Sequence, residues 1–334
     1  MTAKRVIAIA VAAILVFVSI GINTMSWFFT RDWNDLITEI TAIDQDLQET
    51  IVEDGSLSER IAVLKVDGVI QDTGAASLFS GEEYNHRQFM AQLNEVMNDS
   101  TVKGIVLSVN SPGGGVLESS DIYDAFTEIQ ATKEIPIYVA MGGMAASGGY
   151  YISAPAEKIF VHPETLTGSI GVIMQSINYG KLAEKYGVDF PTIKSGPYKD
   201  MMSSTREMKP EERKMLQEMI DDSYKRFVNI IAEGRGMSES DVRKVADGRV
   251  MNGRQAIEAG LADDYGKLPT VVSAMKEDYH LEKAAVFEYG APDNLTSLLS
   301  MKAHDVFGGD MESQIMKKLL TDNQAPRMMY LYGE

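Results

Sequence analysis

Cysteine is absent from all 334 residues. That excludes thiol catalysis, disulfides and cysteine-based zinc sites, and leaves the redox compartment open. Histidine is scarce, and His86, His162, His280 and His304 are too far apart to form a metal-binding spacing. Basic residues are in deficit, 31 Lys and Arg against 48 Asp and Glu, for a net charge of −17. So acidic a chain offers nothing to offset phosphate repulsion, which excludes nucleic acid as a partner. Phosphate-cradling signatures are missing too: there is no Gly-Lys-Ser/Thr and no Gly-x-Gly-x-x-Gly. No internal repeat is evident.

What is present begins with a long apolar run. No charged residue occurs from Val6 to Thr30, a stretch exceeding the roughly 20 residues that span a bilayer. Lys4 and Arg5 precede it, while Arg31 is followed at once by Asp32 and Asp35. The charge bias predicts an uncleaved anchor over residues 1–31, with its N-terminus in the cytoplasm and the remaining chain outside. Leu36, Ile40, Ile43, Leu47 and Ile51 then recur at helical spacing among polar residues, which predicts an amphipathic linker or stalk over 32–58.

From Arg60 the pattern alternates between strands and helices. Strands are expected at Ile61–Ile70, 104–110, 136–141, 158–161 and 170–174, and helices at 89–97, 118–131, from Ala145 onward around Ser147, and 211–233. This order predicts an α/β fold with a parallel sheet and crossover helices. The catalytic unit is placed at 59–290, with a C-terminal extension and tail at 291–334.

Ser147 lies in Met-Gly-Gly-Met-Ala-Ala-Ser-Gly-Gly-Tyr-Tyr, where a buried strand meets a helix start. A serine projecting from such a turn among Gly and Ala admits a close substrate backbone, and helix-end N–H groups favour charge on an attacked carbonyl oxygen. The geometry is that of a nucleophile elbow, although Gly-x-Ser-x-Gly itself is absent. Asn110-Ser-Pro-Gly-Gly-Gly-Val follows a neighbouring strand in the same way, and its consecutive glycines can aim N–H groups into a concavity. The first segment can also be read as a Gly/Ala-rich helix start packed against a strand, and the second as a tight turn with no ligand.

A nucleophilic serine needs a base. His86 and His162 lack a nearby acid to orient them in sequence. Lys199, in Lys194-Ser-Gly-Pro-Tyr-Lys-Asp-Met-Met, is the rival. A lysine base must have its pKa drawn from about 10.4 to about 7–8, whereas a lone lysine is ordinarily a solvated surface group. Spacing alone leaves the two open.

Five segments taken together resemble one family: Asn110-Ser-Pro-Gly-Gly-Gly, Met144-Ala-Ala-Ser-Gly-Gly-Tyr-Tyr, Thr167-Gly-Ser-Ile-Gly-Val, Lys194-Ser-Gly-x-x-Lys-Asp and Asp247-Gly-Arg-Val. In this order they are similar to signal peptide peptidase A of peptidase family S49, in its short single-copy form. The resemblance implies a fold like that of Clp protease and crotonase, and a membrane-bound serine protease that degrades remnant signal peptides. It implies Ser147 as nucleophile, Lys199 as general base and Ser169 as the lysine's hydroxyl partner. The Gly114 and Gly148 N–H groups become the oxyanion hole. No metal and no organic cofactor is implied. The expected partners are unstructured apolar peptides, the membrane and further copies of the chain, in an octameric ring where serine and lysine meet across a subunit boundary.

Two other classes share some of these features. A crotonase-like acyl-CoA enzyme would use paired oxyanion loops on a thioester, and a non-catalytic membrane scaffold would account for ring and stalk but not for a Ser/Lys pair in matching motifs. Ala325-Pro-Arg-Met-Met-Tyr-Leu-Tyr, apolar beyond Arg327 and without helix caps, reads as an extended segment. It is expected either to lie in, or be clipped by, an active-site groove of its own assembly, or to dock as a terminal strand.

Overall fold

A computed structural model describes residues 47–72, 84–290 and 327–332. The anchor expected over 1–31, the linker up to 46 and most of the C-terminal extension lie outside the described residues. Among the described residues, no helix is long and apolar enough to cross a membrane.

Strands β1 (Gln48–Glu53), β2 (Ser56–Asp67), β3 (Val102–Ser111), β5 (Ile137–Ala146), β6 (Lys158–Val161), β9 (Asp264–Tyr265) and β10 (Ala284–Gly290) form the main sheet, in the order β1-β10-β2-β3-β5-β6-β9. All neighbours from β10 to β9 are parallel. Along this order only β1, at the edge, runs antiparallel to its partner; off it, β8 (Val250–Asn252) pairs antiparallel with β7 (Leu166–Gly168). The central strands read as continuous apolar runs because both faces are covered. Ala62, Leu64 and Val66 of β2 join a core with helices α1 (His86–Asn98), α2 (Val116–Lys133) and α5 (Pro210–Arg235). Ile61 and Val63 alternate onto the other face, against Val271, Val272 and Met275 of α8 (Leu268–Asp278). Packing there is close enough that a Cβ on Gly104 of β3 would stand 2.5 Å from Met275 Sδ.

Three expectations need correction. The helical stripe does not extend to Ile51, which pairs with Phe287 inside β1. One apolar residue every few positions also suits an exposed edge strand, and β10 offers it a hydrogen-bonding partner. The strand expected at 170–174 lies earlier, as β7 (Leu166–Gly168), because β7 has already taken the extended end of β5. Ile173 makes only an isolated bridge. Finally, Ala145 and Ala146 stay in β5, so the helix after Ser147 starts at Gly148 as the short α3 (Gly148–Ser153).

Candidate active site

Parallel strands β3 and β5 end side by side, and both continue into glycine-rich turns at their carboxyl ends, the usual place for a site in a parallel sheet. Beyond β3, Gly113–Gly115 form a short strand, β4, fixed by bonds from Ile70 N–H to Gly113 O (2.9 Å) and from Gly115 N–H to Ile70 O (2.8 Å). Beyond β5, Ser147 has φ 53° and ψ −114°. A non-glycine residue in such a conformation stores on the order of 1–3 kcal/mol, which the surroundings must hold. They do so through Ser147 N–H to Gly168 O (2.8 Å) and Tyr151 N–H to Ser147 O (2.9 Å).

The turns converge because neither bears side chains where they meet. A Cβ on Gly148 would lie 3.0 Å from Gly114 N and 2.7 Å from Ser119 Oγ. The two amide groups named from sequence are therefore neighbours. Ser169 joins them, since β7 pairs Gly168 with Ala146 and so brings the next residue of each strand together. Ser147 is 1% exposed, and both serines line a groove of ≈ 750 Å³ with Ile170, Tyr224, Leu331 and Tyr332.

Lys199 stands outside this group. It is exposed between α4 (Gly180–Lys185) and α5, and does not line the groove. Its segment is nevertheless fastened. Arg206 Nη2 donates to both Asp200 Oδ1 (2.7 Å) and Glu212 Oε1 (2.6 Å), while Lys194 shares the same Asp200 oxygen at 2.6 Å. Arg206, then Lys194, keeps the Asp200 carboxyl well below the usual carboxylate range. Glu212 is lowered to about 2 by Arg206 and by the Lys209 N–H. Ile177, Leu182, Tyr186, Phe190 and Ile193 of the same arm are exposed large apolar side chains.

The histidine candidates are placed elsewhere. His86 Nδ1 shares a hydrogen bond of 2.7 Å with Tyr84 OH, and its Nε2 lies 3.5 Å from Asp121. His162 Nδ1 accepts from the Glu164 N–H. Neither lines the Ser147 groove.

The tail forms one wall of that groove, through Leu331 and Tyr332. Met329–Leu331 form β11, antiparallel to β4, with Tyr330 opposite Gly114. Met329 and Ile173 exchange two backbone bonds of 2.9 and 3.0 Å on the other side. The tail is thus a strand held from both edges. Tyr330 is fully buried, its ring 4.8 Å from both Tyr151 and Phe227, and its OH donates to Ser223 O at 3.0 Å. Contacts of this kind contribute about 0.5–1.5 kcal/mol each beyond area burial. A Cβ on Gly113 would fall 2.0 Å from Tyr330 O and 2.6 Å from Gly148 N, so that carbonyl oxygen lies beside the Gly148 amide.

The aromatic pocket escaped sequence reading. Tyr151 could have been found, because it lies one helical turn beyond Ser147 and must sit beneath it. Phe227 and the Arg206 fork carry no local signal.

Comparison with known proteins gives the chain's relatives. Residues 129–282 match the family model described as Peptidase family S49, and residues 77–167 match that of Clp protease. A putative signal peptide peptidase SppA of Enterococcus faecium is 40% identical over 344 aligned positions, covering 100% of this chain and 99% of that protein. The chloroplastic serine protease SPPA of Arabidopsis thaliana is 30% identical, covering 75% of this chain and 38% of that protein. The capsid assembly protease C of Escherichia phage lambda is 30% identical, covering 67% and 50%.

Proposed function

Because the chain belongs to peptidase family S49, and is a serine protease, we propose that Ser147 is its nucleophile and that the tail strand marks the path of a peptide substrate. The observation that carries this reading is the Tyr330 carbonyl, which lies at the Gly114–Gly148 corner next to a strained, buried serine. Membership of a peptidase family also decides against the acyl-CoA and scaffold alternatives.

Ser147 Oγ attacks the peptide carbonyl carbon as its proton passes to Lys199 Nζ. The oxyanion is held by the Gly114 and Gly148 N–H groups, which need no reorganisation to receive it. Collapse breaks the C–N bond, and the lysine returns its proton to the leaving amine. Water then attacks the acyl ester, giving a proton to the lysine and releasing Ser147. Ser169 orients the lysine. Since Lys199 does not line its own chain's groove, the base comes from a neighbouring copy. The exposed apolar arm that carries it supports such a contact, and a head-to-tail interface of this kind closes a ring, here an octamer.

The substrates are remnant signal peptides and other unstructured apolar peptides. Lys4 and Arg5 before the apolar run support a single anchor over residues 1–31, with the catalytic unit on the extracytoplasmic side. The test is acylation by a serine-reactive probe together with cleavage of an unstructured apolar peptide. Ser147→Ala should lose all labelling and at least about 10⁴-fold in kcat. Labelling at another serine would overturn the assignment.

A further inference from the structure

The tail reaches beyond the aromatic pocket. Arg327, three residues before Tyr330, places Nη1 3.2 Å from Glu118 Oε1 and Nη2 2.8 Å from Gln71 Oε1. Glu118 is a built feature. It stands in the first turn of α2, its side chain is 10% exposed, and its Oε1 accepts the Asp72 N–H at 3.1 Å. Its carboxylate packs so tightly on β4 that a Cβ on Gly115 would lie 1.8 Å from Oε2. A largely buried carboxylate costs free energy unless a cation meets it. Among the described residues, the cation that meets this one belongs to the segment lying in the substrate path.

The frame of the tail converts this contact into a subsite. With the Tyr330 carbonyl at the Gly114–Gly148 corner, Tyr330 is the residue whose carbonyl would be acylated, and Arg327 lies three residues toward the N-terminus. Strand alternation separates the two directions: Tyr330 enters the aromatic pocket, while Arg327 reaches the β4–α2 junction. We infer that Glu118, assisted by Gln71, is a specificity-determining residue that selects a basic residue three positions before the acylated residue, the fourth before the bond cleaved, arginine above lysine. Arginine is favoured because its planar fork reaches the carboxylate and the amide oxygen together, whereas lysine supplies a point charge. The inference rests on the protease reading and deepens its substrate class. A peptide with a basic head and an apolar body, the layout of a signal peptide, would be cut just inside the apolar part.

The test uses the full-length protein and four fluorogenic decapeptides, identical except for Arg, Lys, citrulline or Glu three residues before a single Tyr. Wild type should cleave after that Tyr with kcat/KM falling in the order Arg, Lys, citrulline, Glu. Arg over citrulline should be about tenfold, the size of one charge-assisted hydrogen bond. Glu118→Gln should bring the Arg-to-citrulline ratio close to one, and Glu118→Arg should make the Glu peptide better than the Arg peptide. A merely structural role for Glu118 would lower all four rates together. An unchanged ratio in a Glu118→Gln protein that still labels at Ser147 overturns the subsite and leaves the protease reading intact. Failure of every peptide, with no labelling of Ser147, overturns the protease reading itself.

Discussion

Ser147 and Ser169 leave the ends of two paired strands as neighbours, Ala146 opposite Gly168, and both carry positive φ, 53° and 51°. Two non-glycine residues in that region, one strand apart, imply that the sheet holds both hydroxyls against local preference. Backbone bonds do the holding: Ser147 N–H to Gly168 O at 2.8 Å and Ser169 N–H to Arg249 O at 2.7 Å. An arrangement so constrained suits a nucleophile and the hydroxyl that orients its base.

The histidines should be dispensable. His86 is engaged with Tyr84 and Asp121, and His162 with the Glu164 backbone, both away from the groove. His86→Gln and His162→Gln should therefore retain kcat within about threefold, while Lys199→Ala removes activity. A lysine base acts only when deprotonated, so kcat/KM should rise with pH and level off in the mildly alkaline range. Loss of activity in a folded histidine variant moves the base assignment to that histidine.

The tail should be a substrate of its own assembly. If Tyr330 is the acylated residue, stored wild-type protein loses Leu331–Glu334 as one fragment. Intact-mass measurement should find this truncation in wild type and not in Lys199→Ala. Equal masses for the two proteins would leave β11 as a docked strand alone.

The arm bearing Lys199 should depend on Arg206. Glu212 has its folded pKa lowered to about 2, chiefly by Arg206. For a depressed carboxylate, the stabilisation is full above its unfolded value near 4.3 and is lost as pH falls through the folded one. Arg206→Met should therefore melt below wild type by a constant margin from pH 7 to 5, and the margin should narrow from about pH 4 toward 2. A margin independent of pH would mean that Arg206 acts through packing. The same variant should lose turnover on peptides while keeping the strained Ser147 turn, which belongs to β5 and β7.

How far the sequence could be read follows from which contacts are local. The Ser147 turn, the Gly113–Gly115 turn and the parallel order were legible, because each rests on a few adjacent residues and a fixed strand–helix rhythm. The edge strand β1 was not, since Ile51 at every third or fourth position fits either a helix or a strand and only β10 decides. Val172 and Ile173 read as strand for the same reason, although β7 had taken the available edge of β5. Tyr330 looked extended and apolar in sequence. Its pairing with Gly114, over two hundred positions away, and its place against Tyr151 and Phe227 come from tertiary structure alone. Glu118 carried no signal at all, being one acid in a helix's first turn until Arg327 is set beside it.

In the proposed site one chain supplies Ser147 and another Lys199. The most direct measurement of this sharing is the peptidase activity of Ser147→Ala and Lys199→Ala subunits refolded together in equal amounts, each inactive alone. In a closed head-to-tail ring, random mixing leaves roughly a quarter of the interfaces with an intact serine facing an intact lysine. Recovery is expected near that fraction of wild-type activity, rising and falling with the mixing ratio. Verified mixed rings that stay inactive would contradict the sharing and place both residues of the pair within each subunit.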